Sequence, residues 1–582
     1  MQRPVKFPYG ISNIELLISN NYVFIDKTNY IELLEKDDRY SIFLRPRRMG
    51  KSLFVSMLEY YYDKNKKHLF EKVFSKLYIG KNRTEKANTF RVLSFDFSAI
   101  DTQTEEAAFR FFLKRIQTDM ESFMKSYDLF DEDEILKILK ADSPGDLMST
   151  FFRSLKTWKD KTGDNIPIFI IIDEYDHFTN EILIRDLSEF KRSVSEDGYI
   201  RKFYEAIKTA TKNGFVDRFF ITGVSPITMD GLTSGFNVGS HISSVKKFHN
   251  MMGFAEHEVR DLLNLVLSDK SREEAIMLDL KNWYNGYKFN YDVQETIYNS
   301  DMVLYFLKLF ADEQTYPQLM LDPNIMPDYG KLMKLFNVAN YQNNIEVLEE
   351  ILQKGYLTND IIYQFSFEQD FDKTAFVNLL FYLGNLTLNG TDEYDTPRFV
   401  IPNYVIKELY WKYFAHVLQQ EANLEYESTN VMKALREMVG GDITSMLALI
   451  EKLLQKLSNR DYRRFDEKYI KAILLAYVHQ SKYYFARTER EVLNDGYIDL
   501  ELLQHPANKG NIQQYVFELK YLKQADENQL QLTMQEAKTQ LASYLEKDTH
   551  LKGLKKLKAI AIVTVKDKIY WEELNVGNLS LV

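Results

Sequence analysis

Four short apolar runs alternate with longer amphipathic segments in the first half of the chain. The runs cover residues 40–44, 92–97, 166–172 and 218–224. Continuous apolar runs of this length are typical of buried parallel strands, and the segments between them are long enough for crossover helices. The pattern therefore predicts an α/β region built around a parallel sheet.

A different pattern follows between about residues 300 and 415, where the periodicity is mostly helical. It closes with a helix over 375–383 and two short strands over 386–388 and 398–403, with a turn expected at Asn389 and Gly390. A helix followed by a two-strand ribbon suggests a winged-helix-like module. Such a wing either touches DNA or packs against a neighbouring domain, and the residues indicate no direct DNA contact.

The last part of the chain predicts a second α/β region. After a helical stretch over 416–470, helix and strand patterns follow in the order helix, three strands, helix, strand, at 467–480, 484–487, 496–502, 515–520, 533–546 and 558–565. A polar turn over 505–511 makes the second and third strands an antiparallel hairpin. The 582 residues exceed what one compact core holds, and we expect three domains at 1–295, 296–415 and 416–582.

Composition narrows the class of protein. The net charge of −10 means that a nucleic-acid partner would have to meet a local basic surface. The chain has no cysteine, which excludes disulfides and thiolate zinc sites. The amino terminus lacks the apolar core of a signal peptide, and no apolar run approaches the ~20 residues needed to cross a bilayer. We therefore expect a cytoplasmic protein with no membrane contact.

The first candidate site follows the first apolar run. Residues 45–52 end in Gly-Lys-Ser, the close of a phosphate-binding loop, although Arg45 stands where the first glycine of such a loop is usual. Backbone amides of the loop cradle a polyphosphate, the lysine reaches its outer oxygens, and the serine hydroxyl takes Mg²⁺. The candidate nucleotide-binding residues are Arg48, Met49, Gly50, Lys51 and Ser52.

Two acids follow the third run. Asp173 would hold Mg²⁺, and Glu174 would polarise the attacking water, as in nucleotide hydrolases. The alternative is a helix start capped by acidic residues. At the end of the fourth run, Thr222 or Ser225 could sense the γ-phosphate or orient water, or could simply end a strand.

Together these motifs resemble the AAA-ATPase-like family. The resemblance rests on residues 45–52, 173–176, 222–224, 253–254, 258–259, 283–287 and 298–299, and covers roughly residues 5–300. It implies a P-loop NTPase fold that binds ATP and Mg²⁺, and an arginine is common at the first glycine position of that family. Arg45, Arg47 and Arg48 could contact phosphates or act as arginine fingers in a homo-oligomer; for each of them, a solvated loop charge is the favoured interpretation.

The second candidate site lies on the predicted hairpin. Strand alternation places Glu518 and Lys520 on one face, and antiparallel pairing can bring Asp499 next to Glu518. Two carboxylates would hold Mg²⁺ against a phosphate, while the lysine orients or helps to deprotonate water. The alternative is an amphipathic hairpin with cross-strand ion pairs on its solvated face.

Residues 496–499, 518–520 and 540–544 resemble the PD-(D/E)XK nuclease superfamily. The resemblance implies a restriction-endonuclease-like α/β domain in which Asp499, Glu518 and Lys520 are catalytic. It also carries the helix glutamine of the superfamily onto Gln540, with Tyr544 one turn later. An upstream acid corresponds to Glu467 or Glu491, and Tyr497 replaces an arginine that is usual before the aspartate.

The combined prediction is an ATP-binding and ATP-hydrolysing, Mg²⁺-dependent nuclease whose nucleotide state gates the second site. DNA is the expected substrate ahead of RNA. Four lysines at 552, 555, 556 and 558 could neutralise a DNA backbone or be a solvated turn. The alternative is an NTP-driven switch or assembly protein whose nuclease-like domain only binds nucleic acid or a protein partner.

Overall fold

Three sheets organise the part of the chain that the structure describes. In this computed structural model, that part comprises residues 5–195, 197–230, 238–324, 334–363, 365, 371–421, 428–457, 466–479, 481, 483–492, 496–505, 508 and 510–574. The chain divides into two units: unit 1 contains residues 1–314, 331–347 and 356–403, and unit 2 contains residues 315–330, 348–355 and 404–582. The three-domain division expected from sequence stays a prediction.

The main sheet of unit 1 is parallel, with the strand order β2-β3-β4-β1-β5. Its strands are β1 (Tyr40–Leu44), β2 (Arg91–Asp96), β3 (Ile168–Asp173), β4 (Val216–Gly223) and β5 (Ser240–His241). The four apolar runs are thus the first four strands, and the predicted parallel α/β fold is confirmed. Since β4 lies between β1 and β3, the loops after β1 and β3 leave the same sheet edge about 10 Å apart.

Helices cover the sheet and complete unit 1. Helix Lys51–Tyr62 follows β1 and buries Phe54, Leu58 and Tyr61, which fixes the start of that helix beside the sheet edge. The remaining helices are Ile14–Ser19, Asn29–Glu35, Phe70–Phe74, Tyr78–Lys81, Glu105–Ser126, Glu132–Leu139, Pro144–Thr162, His177–Arg185, Leu187–Val194, Tyr199–Lys212, Ile227–Asp230, Glu256–Asn264, Glu273–Tyr284, Ser300–Glu313 and Lys373–Tyr382. Helix Tyr341–Lys354 contributes residues to both units.

Unit 1 also contains a small antiparallel sheet, with one strand before helix Lys373–Tyr382 and two after it. The expected helix and two-strand ribbon are present, and their assignment to a winged-helix-like module stays a prediction. The sheet contains β6 (Tyr356–Thr358), β7 (Thr387–Thr391) and β8 (Pro397–Val400) in the order β6-β8-β7. The turn expected at Asn389 and Gly390 is wrong. These residues lie inside β7 at a register shift, where Gly390 has φ +71°, and glycine is common at such bulges. The chain turns instead at Asp392, whose carboxylate accepts hydrogen bonds from the backbone of Tyr394 and Thr396.

Unit 2 carries a mixed five-stranded sheet, with the order β13-β12-β11-β10-β9. The strands are β9 (Tyr484–Val492), β10 (Gly496–Gln504), β11 (Gln514–Leu522), β12 (Leu557–Val565) and β13 (Lys568–Leu574). Strands β11 and β12 are parallel and the other pairs are antiparallel, so the predicted hairpin and second α/β region are confirmed. No apolar pattern predicts strand β13, because all of its residues are exposed or half-buried.

The helices of unit 2 flank this sheet. Helix Leu530–Lys547 makes the crossover from β11 to β12, and its Ala537 and Leu541 pack in one cluster with Val516 and Ala561 of those strands. The others are Tyr404–Glu421, Ser428–Gly440, Thr444–Leu457, Glu467–Val478 and Thr549–Gly553. None of the described helices in either unit combines the length and hydropathy that crossing a bilayer requires.

Candidate functional site

The phosphate loop (residues 45–52) is braced from outside. Four donors from other segments hold its carbonyl oxygens: Asn299 Nδ2 to Arg47 O (3.3 Å), Ser300 Oγ and Asp301 N to Arg48 O (3.2 and 3.3 Å), and Gly253 N to Met49 O (2.9 Å). Because the two polar groups of a trans peptide point in opposite directions, the N–H groups of the same three peptides face the other side. Several backbone N–H groups directed to one side form the kind of concavity that binds phosphate.

The brace explains two of the motifs noted in the sequence. Gly253 has φ +81°, and a Cβ there would lie 2.9 Å from both Met49 Cε and Tyr298 O. Glycine is therefore needed for the backbone to approach the loop. Asn299 also caps helix Ser300–Glu313 by accepting from Met302 N, so one side chain fixes a helix start and the phosphate loop together.

Four predicted residues meet at the edge of the main sheet. Lys51 is buried, with Nζ 3.3 Å from the carbonyl oxygen of Pro46 and 3.4 Å from Glu174 Oε1. Asp173 ends β3 and accepts a hydrogen bond from the Ser52 side chain. Burial, together with the neighbouring charge of Glu174, raises the pKa of Asp173 to about 6. A serine hydroxyl and a buried carboxylate in contact are suitable donors for Mg²⁺.

Glu174 sits in a small cluster of basic side chains. Burial alone would raise its pKa, but Lys51, His177 and Arg47 together lower the pKa of this carboxyl below its usual value. Arg47 donates from Nη2 to Nδ1 of His177 at 2.9 Å. This Arg47–His177 pair could not be predicted from sequence, because the two residues follow different strands and meet only in the folded sheet.

Thr222 and Ser225 both have hydrogen-bond partners within unit 1. The buried Thr222 hydroxyl donates to the carbonyl oxygen of Phe43 at 2.7 Å and links β4 to β1. Asp176, which sequence analysis gave no role, accepts from the Ser225 hydroxyl and from the backbone of Val224 and Ser225. These bonds fix the end of β4 beside the acids. A γ-phosphate-sensing role for Thr222 stays a prediction.

Arg45 is neither solvated nor directed at phosphate, so the favoured interpretation of a solvated charge is wrong for it. Its guanidinium is buried between the rings of Phe43 and Phe289, at 4.2 and 4.1 Å from their centroids. It donates to four carbonyl oxygens, those of Leu44, Ser243, Phe248 and His249. Arg48, by contrast, is exposed and lies 3.8 Å from Asp301. Arg45 therefore anchors the start of the loop.

In unit 2, three predicted catalytic residues meet where β10 separates from β11, a point we call the strand fork. Pairing of these strands ends at Leu500 and Phe517. One residue further, Asp499 Oδ2 accepts a hydrogen bond from the backbone of Leu519 at 2.7 Å. On the same strand as Leu519, Lys520 Nζ contacts Glu518 Oε1 at 2.8 Å. The fork thus collects two carboxylates and a lysine.

The buried Glu518 carboxylate is incompletely satisfied. Within the described residues, its Oε2 atom has no hydrogen-bond partner. Burial and the nearby Asp499 raise the pKa of Glu518 to about 7, despite the contact with Lys520. No three His, Cys, Asp or Glu side chains in the described ranges form a complete metal cage. Mg²⁺ needs no such cage, since one or two carboxylates with water and phosphate oxygens suffice, and a bare carboxylate oxygen fits that role.

Glu467 lies near the fork and is the upstream acid that the structure describes there. Its carboxylate accepts from the backbone of Tyr521, and its pKa is raised, chiefly by burial, with Lys520 and Asp499 also close enough to act on it. For the other candidate, Glu491, the described structure covers the backbone in β9 but not the side chain.

A groove runs from the fork along helix Leu530–Lys547. Gln540 is exposed and lines this groove together with Lys520 and Tyr544. The Tyr544 hydroxyl donates to the carbonyl oxygen of Tyr497 at 3.3 Å. Gly496, with φ +119°, lets the two segments approach, since a Cβ there would lie 3.0 Å from that hydroxyl.

The basic cluster near β12 is partly paired within the protein. Lys558 contacts Glu573 at 2.9 Å, and Lys556 donates to the carbonyl oxygen of Asn511 at 3.2 Å. Two of the four lysines therefore already have protein partners, and a DNA-binding role for the cluster stays a prediction.

Comparisons with known proteins identify two regions, which contain the two candidate sites described above. Residues 8–233 match the family described as "Predicted AAA-ATPase", and residues 465–573 match the PD-(D/E)XK nuclease superfamily. A protein of Azotobacter chroococcum mcd 1, described as "Uncharacterized protein in vnfD 5'region", is 26% identical over 306 residues. The match covers 52% of each chain, so this chain spans about half the length of that relative. The chain thus combines an AAA-ATPase-like region with a PD-(D/E)XK nuclease-superfamily region, which is the architecture expected from its motifs.

Proposed function

We propose that this protein binds and hydrolyses ATP and is a Mg²⁺-dependent nuclease, with the nucleotide state of unit 1 controlling cleavage by unit 2. The observation that carries the proposal is the strand fork, where Asp499, Glu518 and Lys520 meet and a buried carboxylate oxygen lacks a partner. A buried carboxylate oxygen without a partner costs free energy, and a bound cation would offset that cost, which supports a metal site at the fork.

At the fork, Asp499 and Glu518 would hold Mg²⁺ beside the scissile phosphate. The metal supplies Lewis acidity and lowers the pKa of a bound water. Lys520 donates hydrogen bonds to the phosphate or to the attacking water and offsets the negative charge that develops during cleavage. Glu518 must be ionised to bind metal, so its raised pKa makes the fork more effective above pH 7. Gln540, exposed on the groove wall, orients the substrate strand.

In unit 1, the N–H groups of the phosphate loop and Lys51 bind the polyphosphate, while Ser52 and Asp173 would hold its Mg²⁺. Glu174 orients the attacking water. Lys51 pairs with Glu174, so a bound phosphate would compete with Glu174 for the lysine. ATP binding thereby frees the Glu174 carboxylate for water at the moment when substrate arrives.

The test is a cleavage assay on plasmid and single-stranded DNA with Mg²⁺ or Mn²⁺, with and without ATP. Wild type should cut, and Asp499→Ala should cut at least about 100-fold more slowly. Asp526→Ala, at a partly exposed aspartate on the 3-10 turn Gln524–Gln529, is the matched control and should cut normally. A wild type that cuts nothing, or an Asp499→Ala variant as active as wild type, would refute the nuclease. ATP-dependent assembly without cleavage would favour a switch protein instead.

A further inference from the structure

We propose that Arg47 is a catalytic residue for ATP hydrolysis, and that its guanidinium contacts the terminal phosphate of an ATP molecule bound in the same chain. The inference rests on the proposed hydrolysis of ATP at the phosphate loop and adds a residue to that same site. Three observations carry it: the path of the Arg47 side chain across the sheet edge, its proximity to the candidate water-orienting acid, and the fixed backbone from which it starts.

The Arg47 side chain crosses the gap between two strand ends. Arg47 follows β1, whereas His177, whose Nδ1 atom lies 2.9 Å from Arg47 Nη2, follows β3. Strand β4 lies between these two strands, so the arginine reaches across a gap of roughly 10 Å at the sheet edge. Lys51 crosses the same gap to Glu174. Two cationic side chains of one loop therefore converge on the end of β3.

The terminal phosphate of a bound ATP belongs in this gap. The lysine of a phosphate loop reaches the outer oxygens of the polyphosphate, and Lys51 Nζ lies 3.4 Å from Glu174 Oε1. Arg47 is also close enough to Glu174 for its charge to act on that carboxylate. The lysine, the arginine and the acid thus border one space. A phosphate that takes the place of Glu174 at Lys51 therefore comes within reach of the guanidinium.

The backbone of Arg47 is held in place. Its carbonyl oxygen accepts a hydrogen bond from Asn299 Nδ2 at 3.3 Å, and the side chain is half-buried. The other two arginines of the loop point elsewhere, since Arg45 is buried among backbone carbonyls and Arg48 lies beside Asp301. A cation that is already in position near the reacting group needs little reorganisation during the reaction.

Hydrolysis places new negative charge in the same space. The oxygen of the attacking water bonds to the γ-phosphorus, and the bond between that phosphorus and the β–γ bridging oxygen breaks. ADP leaves with the electron pair of that bond, and one proton of the water passes to an oxygen of the released phosphate. Charge spreads over the γ-phosphoryl oxygens in the transition state. The planar guanidinium of Arg47 donates hydrogen bonds to two such oxygens and offsets this charge.

The test measures ATP hydrolysis and ligand affinity of the full chain in Mg²⁺. Arg47→Ala should lower kcat by about 100- to 1,000-fold, with an affinity for ATP within about threefold of wild type. Its affinity for ADP with aluminium fluoride, which mimics the phosphoryl group in transfer, should fall at least about 100-fold. Arg47→Gln keeps a polar side chain without the charge and should be equally slow. Unchanged ATP affinity in both variants would show that the loop is folded.

The matched control is Arg39→Ala, at an exposed arginine that precedes β1 and pairs with Asp217 at 3.1 Å. Arg39 lies at the opposite end of β1 from the phosphate loop, so this variant should match wild type in kcat and in both affinities. A loss of kcat in Arg39→Ala as large as in Arg47→Ala would overturn the inference, because removal of any arginine near β1 would then have the same effect.

Mixing Arg47→Ala with Lys51→Ala separates action within one chain from action between subunits. The Lys51→Ala chain binds ATP weakly but keeps Arg47, so recovered hydrolysis in the mixture would mean that the arginine acts on a neighbouring chain, which would overturn the inference. No recovery is expected. Equal kcat in Arg47→Ala and wild type, or a loss of ATP affinity as large as the loss of kcat, would also overturn it while leaving hydrolysis by wild type intact. A wild type that binds ATP and hydrolyses none would refute the proposed hydrolysis itself, and the inference with it.

Discussion

Both units hold a lysine against a carboxylate, but the two pairs are assembled differently. Lys51 and Glu174 come from loops that follow two separate strands of a parallel sheet, and their atoms are 3.4 Å apart. Lys520 and Glu518 are two residues apart on one strand, at 2.8 Å. The first pair therefore depends on the whole sheet and on the brace around the phosphate loop, whereas the second depends mainly on strand alternation.

The difference matters for control. A lysine held by loops can exchange a carboxylate for a phosphate when the loop binds a ligand, so the pair in unit 1 is suited to sensing nucleotide. A lysine fixed two positions from its partner keeps nearly constant geometry, which suits chemistry that needs a preorganised site. Both sites also bury an acid with a raised pKa, about 6 for Asp173 and about 7 for Glu518.

The largest predicted effect on stability comes from the contacts that anchor the start of the phosphate loop in unit 1. Arg45→Ala removes the donor to four carbonyl oxygens and the group between two rings. We expect a loss of about 3 kcal/mol or more in the free energy of unfolding, with weaker ATP binding. Chemical denaturation followed by a probe in unit 1 measures it. Arg48→Ala, at an exposed position of the same loop, should change stability by less than about 0.5 kcal/mol; equal losses would contradict the anchoring role.

The two buried acids, Glu518 and Asp173, can be compared through the pH dependence of the free energy of unfolding. The ordinary pKa of Glu518 is 4.5, and its folded value is about 7. Between these values the folded state keeps a proton that the unfolded state has lost, so stability falls as pH rises from about 4.5 to 7. Without metal, Glu518→Gln should therefore stabilise the protein at pH 8, on the order of 2 kcal/mol, and have no such effect at pH 4.

Asp173→Asn should show the same sign in a lower window, because the pKa of Asp173 rises from 3.8 to about 6. Thermal unfolding in EDTA from pH 4 to pH 8 measures both variants. Destabilisation of either variant at pH 8 would mean that the folded protein favours the charged carboxylate, contrary to the burial described here.

The smallest predicted effect concerns the cations around Glu174. His177→Ala removes a side chain that itself lowers the pKa of Glu174 and also removes the hydrogen-bond partner of Arg47, so the pKa of Glu174 rises. The acidic limb of the pH profile for ATP hydrolysis should move to higher pH by less than about one unit. His257→Ala, at an exposed histidine of helix Glu256–Asn264, should leave the profile in place. An unchanged limb in His177→Ala would show that this histidine does not influence Glu174, either directly or through Arg47.

Features that depend on one strand or on one strand pairing could be predicted from sequence, whereas contacts between distant segments could not. The fork was predictable because a period of two along β11 and one hairpin bring Asp499, Glu518 and Lys520 together. The order of strand ends likewise brought Lys51, Ser52, Asp173 and Glu174 to one edge. The positions of these seven residues follow from local patterns and one pairing each.

The remaining features depend on contacts between distant segments. Arg45 is buried by residues near 245 and by Phe289, and no local pattern around residue 45 reveals such partners. The pair Asn389–Gly390 predicts a turn, whereas Gly390 lies at a bulge, because glycine is common in bulges and turns alike. The hydrogen bonds from Gly253 and Asn299 to the phosphate loop could not be predicted either, because they form only in the folded protein. Both residues nevertheless belong to motifs that are recognisable in the sequence.

The central claim is that the lysine–carboxylate site of unit 1 binds nucleotide and that of unit 2 cleaves nucleic acid. The most direct test measures ATP affinity and Mg²⁺-dependent cleavage in two variants. Lys520→Ala should cut at least about 100-fold more slowly than wild type, with ATP affinity within about twofold. Lys51→Ala should bind ATP at least about 100-fold more weakly, retain basal cleavage and lose its response to ATP. Lys558→Ala, at a paired lysine of the same sheet as Lys520, should match wild type in both measurements. Cleavage by Lys520→Ala at the wild-type rate, or an ATP response that survives in Lys51→Ala, would contradict the account.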